Sequence, residues 1–201
     1  MEIKDKTQRK IIEFATNKIF TRGYSNVSIA DFASELKISK STFYKYFASK
    51  EALLYEVLKH FFRKIEAEFD EILANPSLHL IDQIKQLLFT VSQRVAKIDT
   101  PAIHDLKRAM PEAYVQFDEH RKNLILNKLA PLFQKGVKQG YFREDLDQTL
   151  VIAILMNAIQ TLANPEFLAN TPYTFHDVFK HISTLIIEGN LTAKGRKQFH
   201  A

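Results

Sequence analysis

Apolar residues recur along this chain with the 3.6-residue period of helices and almost nowhere with the alternation of strands. A first helix is expected from about Lys6 to Thr21, with Ile12, Ala15 and Ile19 on one face beside Ile11 and Phe20, ended by Gly23. A short second helix opens at Ser28, where Ser-x-x-Asp to Asp31 has the form of a capping box, and its buried face is Ile29, Phe32, Ala33 and Leu36. A third follows Ser39, a candidate N-cap, and ends near Tyr46. A long fourth helix starts near Ser49 and repeats through Leu53, Val57, Phe61, Ile65, Phe69 and Ile72 until Asn75-Pro76-Ser77 breaks it.

A fifth helix carries Ile81, Ile84, Leu88 and Val91, and a short one lies between Pro101 and Met110. Pro111 opens another long helix that stops at Gly140. A very apolar helix is expected from Thr149 to Ala163, a loop over 164–173, and a last amphipathic helix from Phe175 to Glu188, ended by Gly189. The polar tail from Thr192 is expected to fray. The reading is an all-α chain of about nine helices: three short N-terminal ones (residues 1–48), then a helical bundle (49–201), with the fourth helix, 49–74, linking the two.

Composition narrows the class. With 46% hydrophobic residues, the 201-residue chain can bury a sizeable core, which excludes disorder. The absence of Cys excludes a disulfide framework and a thiolate metal site. The opening MEIKDKTQRK is charged, with no apolar segment behind it, so no signal peptide is expected. The most apolar run, Leu150–Met156, is far short of the roughly 20 residues that span a bilayer. A cytoplasmic protein is expected, without a membrane partner.

Charge placement says more than the net value of +5. Residues 1–50 hold ten Lys/Arg against five Asp/Glu, while the rest holds eighteen of each. All the excess is N-terminal, which points to a polyanionic partner or to a merely solvated basic face. The third helix favours the partner. Lys40, Ser41, Thr42 and Lys45 form an exposed small, polar and basic face, while Phe43 and Phe47 anchor inward. Small hydroxyls let backbone approach base edges and phosphates, and Lys attracts phosphate or contacts guanine. Tyr44 and Tyr46 offer phenol hydroxyls to phosphates, and Ser28, Ser39 and Lys50 stand at helix starts where further phosphates would lie. The layout is a helix-turn-helix on double-stranded DNA; an ordinary three-helix packing unit remains the alternative.

From Arg9 to Val57 the chain resembles the DNA-binding domain of the TetR family of transcriptional regulators. The resemblance rests on Ile11-Ile12, Ala15, Phe20, Gly23-Tyr24, Ser28, Asp31-Phe32-Ala33, Ile38-Ser39-Lys40, Thr42-Phe43-Tyr44, Tyr46-Phe47, Ser49-Lys50-Glu51 and Leu53-Leu54. Lys37 departs from it, standing where the family usually has Gly in the turn before the third helix, and Lys45 replaces a frequent His. A left-handed backbone at Lys37 would cost about 1 kcal/mol, so the turn is expected to be slightly re-formed.

The resemblance implies a homodimeric repressor on a palindromic operator, its two recognition helices entering major grooves roughly 34 Å apart. It also implies release by a small effector bound in the bundle. Leu150, Ile154, Phe175, Phe179, Ile182 and Ile186, on the last two expected helices, are the candidate dimer interface; the alternative is that both helices face their own core. Phe89, Met110, Tyr114, Phe117, Phe133, Met156 and Gln160 are candidate effector contacts by helical position, and each also suits plain core. An apolar or aromatic effector fits this lining. His104, His120, His176 and His181 carry no HExxH-type spacing, so neither a metal nor another cofactor is expected. With no phosphate loop and no nucleophilic triad, no catalytic residue and no enzyme activity is expected. The rival readings are a DNA-binding dimer without a ligand, a small helical enzyme whose basic segment holds an anionic substrate, and membrane-surface attachment.

Overall fold

The computed structural model describes residues 5–162, 167, 168 and 170–201. Among them are ten helices and no strand: α1 (Lys6–Arg22), α2 (Ile29–Leu36), α3 (Lys40–Tyr46), α4 (Lys50–Ala74), α5 (Leu80–Val95), α6 (Thr100–Ala109), α7 (Pro111–Lys138), α8 (Gln148–Leu162), α9 (Phe175–Asn190) and α10 (Ala193–Phe199). The all-α expectation holds. Ala163 and, of the expected loop at 164–173, residues 164–166 and 169 lie outside the described residues, while 167 and 168 are helical. No described helix is long and apolar enough to cross a membrane.

The chain forms two compact units. One comprises residues up to Ile65 with Lys97–His120; the other comprises Glu66–Ala96 with Arg121–Ala201. This spatial division falls inside α4 and α7, so it differs from a functional partition at residue 48.

In the first unit, α1 starts because Asp5 accepts the backbone N–H groups of Thr7 (2.7 Å) and Gln8 (3.2 Å). Its Ile11, Ile12, Ala15 and Ile19 are buried with Phe32, Phe43, Leu53, Leu54 and Val57. Each such aliphatic or Phe side chain contributes about 1.5–3 kcal/mol by leaving water. Phe20, Phe61, Phe62 and Phe117 form an aromatic cluster, with Phe20–Phe61 at 4.7 Å and Phe62–Phe117 at 5.2 Å between ring centroids.

In the second unit, Leu155 of α8 meets Val178 and Ile182 of α9, with Leu88, Ile159 and Ile186 packed around them. Gln148 and Asn190 are buried amides that satisfy each other: Asn190 Nδ2 donates to Gln148 Oε1 at 2.7 Å, and Gln148 Nε2 donates to the carbonyls of Arg143 and Leu146, each at 2.9 Å.

Two expectations at the C-terminus are corrected. Gly189 does not end α9, which continues through Asn190. The tail does not fray either. Thr192 accepts the Gly195 N–H at 3.1 Å to start α10, and its own N–H donates to the Tyr141 carbonyl at 2.9 Å. Gly195 permits this approach, since a Cβ there would lie 2.1 Å from the Tyr141 oxygen. Lys194 donates to the Gln139 carbonyl at 2.8 Å, and Lys85 lies 5.1 Å above the Phe199 ring. These partners come from distant segments, so a polar tail gives no local sign of them.

Candidate nucleic-acid interface

The α2–α3 pair is built by capping at three ends. Ser28 Oγ accepts the Asp31 N–H at 3.1 Å, while Asp31 accepts the Ser28 N–H at 2.7 Å, a complete capping box. The Ser28 hydroxyl also donates to Asp31 at 2.7 Å, and this hydrogen bond, with the one from the Ser28 backbone, holds the Asp31 carboxyl below its ordinary range. Ser39 Oγ accepts the Thr42 N–H at 3.0 Å and lies 2.7 Å from Ser41 Oγ.

Between them, Lys37 takes the left-handed conformation, φ 54° and ψ 44°. Its N–H donates to the Ser34 carbonyl, and the Ile38 N–H donates to the Ala33 carbonyl at 2.9 Å, which closes α2 as a Schellman motif. The turn is therefore not re-formed, contrary to expectation: Lys37 itself takes the left-handed conformation in which Gly would be unstrained. Lys37→Gly should therefore raise the thermal unfolding midpoint, by an amount worth about 0.5–1 kcal/mol. Circular-dichroism melting checks this; a lower midpoint would mean that the Lys37 side chain contributes more than the strain costs.

Phe43 is fully buried and stacks on Phe32, with ring centroids 6.2 Å apart and planes 2° from parallel; Phe47 packs 5.6 Å from it. These two anchors fix which face of α3 looks outward. Lys40, Ser41, Tyr44 and Lys45 are exposed, Tyr44 at 53%, with Ser28 and Ser39 exposed beside them and Thr42 half-buried. Of the face read from the sequence, Lys40, Ser41 and Lys45 are thus exposed and Thr42 is partly covered.

Two further residues of the expected set have partners from outside α2 and α3. The Tyr46 hydroxyl donates to the Asp5 carboxylate at 2.9 Å, tying the end of α3 to the start of α1. That bond lowers the Asp5 pKa and raises that of Tyr46, so this hydroxyl is held by an internal acceptor. Lys50 is half-buried with its ammonium 4.1 Å above the Tyr24 ring. Burial pushes the Lys50 pKa down, and Asp105 and Asp31 oppose that shift.

Sequence reasoning missed Asp105. It lies on the face of α6 that buries Ala102 and Leu106, and its carboxylate accepts the Ser25 N–H at 2.7 Å. An acid at a position where the helical period calls for an apolar residue was the available signal.

The remaining candidates separate by environment. Leu150 (60% exposed) and Ile154 (50%) stand open on α8, Leu185 (73%) stands open on α9, and Leu150, Ala153, Ile154, Asn157, Ala158 and Leu162 line one open groove. Phe175 and Ile186 are half-buried. Phe179 and Ile182, expected to face a second copy, are instead buried in their own chain; Ile182 packs into the α8–α9 core beside Leu155.

The expected effector contacts are divided between the two units. Met110 is half-buried, Tyr114 lies beneath Lys107, and Phe117 is part of the aromatic cluster of the first unit. In the second unit Phe133 is fully buried with its ring 4.7 Å from that of Phe142, and Met156 is buried. Phe89 is 64% exposed, and Gln160 is exposed with its amide oxygen 3.1 Å from Arg121.

Residues 11–57 match the sequence profile of "Bacterial regulatory proteins, tetR family". An uncharacterised HTH-type transcriptional regulator of Bacillus subtilis, YvaF, is 24% identical over 90% of this chain and 94% of its own length. The HTH-type transcriptional repressor KstR2 of Mycobacterium tuberculosis is 24% identical over 71% of this chain and 72% of its own. A TetR-family regulator from Agrobacterium tumefaciens shares the fold, with a TM-score of 0.72 at 19% identity over 92% of this chain and 97% of that one. Capped α2, Phe-anchored α3 and the outward polar face all lie within the segment that matches the TetR-family profile, and residues 11–57 are similar to the regulators of that family.

Proposed function

We propose that this chain is a cytoplasmic repressor that binds a palindromic operator as a homodimer and is released by a small apolar or aromatic effector. Residues 1–48 read DNA, and 49–201 carry dimerisation and the effector. The observation that carries the reading is the face of α3: Lys40, Ser41, Tyr44 and Lys45 outward, on a helix whose register is set by buried Phe43 and Phe47. A relative named as a repressor supports the sign of regulation. Half-buried Phe61, its ring 6.0 Å from that of buried Phe117, is the kind of aromatic surface that an apolar effector needs.

Selection from random duplex DNA at physiological salt, followed by sequencing of the bound pool, tests it. An enriched palindrome supports a dimeric, sequence-specific regulator; salt-dependent binding without enrichment refutes operator recognition by the free protein. Within the interface, Lys50→Ala and Tyr44→Phe should weaken binding to all sequences alike, because phosphates carry no sequence information. Changes at Ser41 or Thr42 should alter the enriched sequence instead. A Lys50→Ala protein with altered preference and intact affinity would overturn these assignments.

One observation favours a second reading. Phe133 and Met156 are spent in packing, and Phe89 faces solvent, as in a bundle that only dimerises. Thermal stabilisation by apolar compounds separates the two: none across a broad set supports the ligand-free regulator.

A further inference from the structure

Asp105 is the one carboxylate among the buried side chains of the described residues, only 9% exposed. Burying a carboxylate costs free energy unless strong donors meet it. Its main donor lies eighty residues earlier: the Ser25 N–H, at 2.7 Å. Arg108, 3.5 Å away and 83% exposed, adds little. Burial pushes the Asp105 carboxyl up, but Ser25 and Arg108 outweigh it, and the net shift is downward. The carboxylate is therefore ionised at neutral pH.

The approach is close enough to require glycine. Gly23 has φ +91°, and a Cβ there would lie 3.0 Å from Asp105 Oδ2. A second tie joins the same elements, since the Asp99 N–H before α6 donates to the Phe20 carbonyl at 2.9 Å. Asp105 thus meets the turn that runs from α1 into the Ser28 cap of α2, and its charge acts on Lys50 at the start of α4.

We propose that Asp105 is a positioning residue for DNA binding: it holds the Gly23–Ser25 turn so that Ser28 and Lys50 meet phosphates. This rests on the DNA-binding reading and goes beyond it, because Asp105 touches no DNA itself. The sign of its effect is diagnostic. A carboxylate near a phosphate surface repels it, so by charge alone its removal would raise affinity. By positioning, its removal lowers affinity.

The test compares Asp105→Ala, which lacks the acceptor, with Asp105→Asn, which keeps an oxygen for Ser25 but no charge. Binding to a labelled random-sequence duplex is titrated over a salt series, at a temperature where melting curves show each protein folded. Asp105→Ala should bind about tenfold more weakly, ~1.4 kcal/mol. Its slope of log affinity against log salt should flatten by about 0.9 for each phosphate that the variant no longer neutralises. Asp105→Asn should stay close to wild type, and exchange of the Ser25 amide should accelerate only in the Ala protein. A purely structural role would lower the melting temperature and leave the affinity and salt slope of the folded protein unchanged, which would overturn the proposal. If the wild-type protein itself fails to bind the duplex, the DNA-binding reading falls first.

Discussion

Replacing Leu150 and Ile154 together by Asp should give a folded monomer whose operator affinity falls by a factor on the order of 10²–10⁴, the effective-concentration advantage of two linked half-site contacts. Both side chains are at least half exposed and share an open groove with Ala153, Asn157, Ala158 and Leu162. On the proposed reading, this exposed apolar stripe is where the second copy would dock. The substitutions need not harm the chain itself. Leu150 lies in the first turn of α8, where its N–H already donates to Asp147 at 2.8 Å and where negative charge is favourable. In a dimer formed through this face, four carboxylates would have to be buried without partners. Sedimentation equilibrium should show the monomer, and DNA titration the weaker binding. A variant that stays dimeric at micromolar concentration would move the interface off α8. The corrected positions of Phe179 and Ile182 sharpen the design, because changing those would damage the core and confuse misfolding with dissociation.

Phe142→Ala should remove about 3–5 kcal/mol of stability, the usual cost of emptying a buried Phe site. Against a total of roughly 5–15 kcal/mol, that threatens the second unit as a whole. Phe142 is 1% exposed, its ring lies 4.7 Å from Phe133, and its backbone forms the antiparallel bridge with Leu191. Gly136 is shaped to this ring: a Cβ there would come 2.3 Å from it. Gly136→Ala alone should therefore destabilise by about 1–3 kcal/mol through overpacking. In the Phe142→Ala protein the added methyl enters space the ring has vacated, and the same change should cost much less. Chemical denaturation of the four proteins gives the cycle directly. Additive losses would mean that Gly136 matters for some reason other than the ring.

Much of the fold and of the outward face of α3 was legible in the chain. Ser28 with Asp31, Ser39 with Thr42 and Phe43 with Phe47 lie within four residues of each other, so their capping and facing follow from local geometry. Lys37 does not belong with them: its residue type argued for a re-formed turn, and the hydrogen bonds that close α2 hold it left-handed instead. Legibility ended wherever a partner came from far along the chain. Tyr46 is fully consistent with a phosphate contact until Asp5, forty-one residues earlier, accepts its hydroxyl. The tail after Thr192 looks solvated until the Tyr141 carbonyl receives it.

The sequence by itself determined most of the helices before Thr192, the caps at Ser28 and Ser39 and the register of α3, because each depends on the order of near neighbours and on a 3.6-residue period. Only the tertiary structure decided that Leu150 and Ile154 are open while Phe179 and Ile182 are closed, since apolar residues on one helix are indistinguishable until neighbours cover some of them. It alone also placed Asp105 against Ser25: a buried charge is tolerable only where a donor from a distant segment meets it, and folding, not sequence adjacency, supplies that donor.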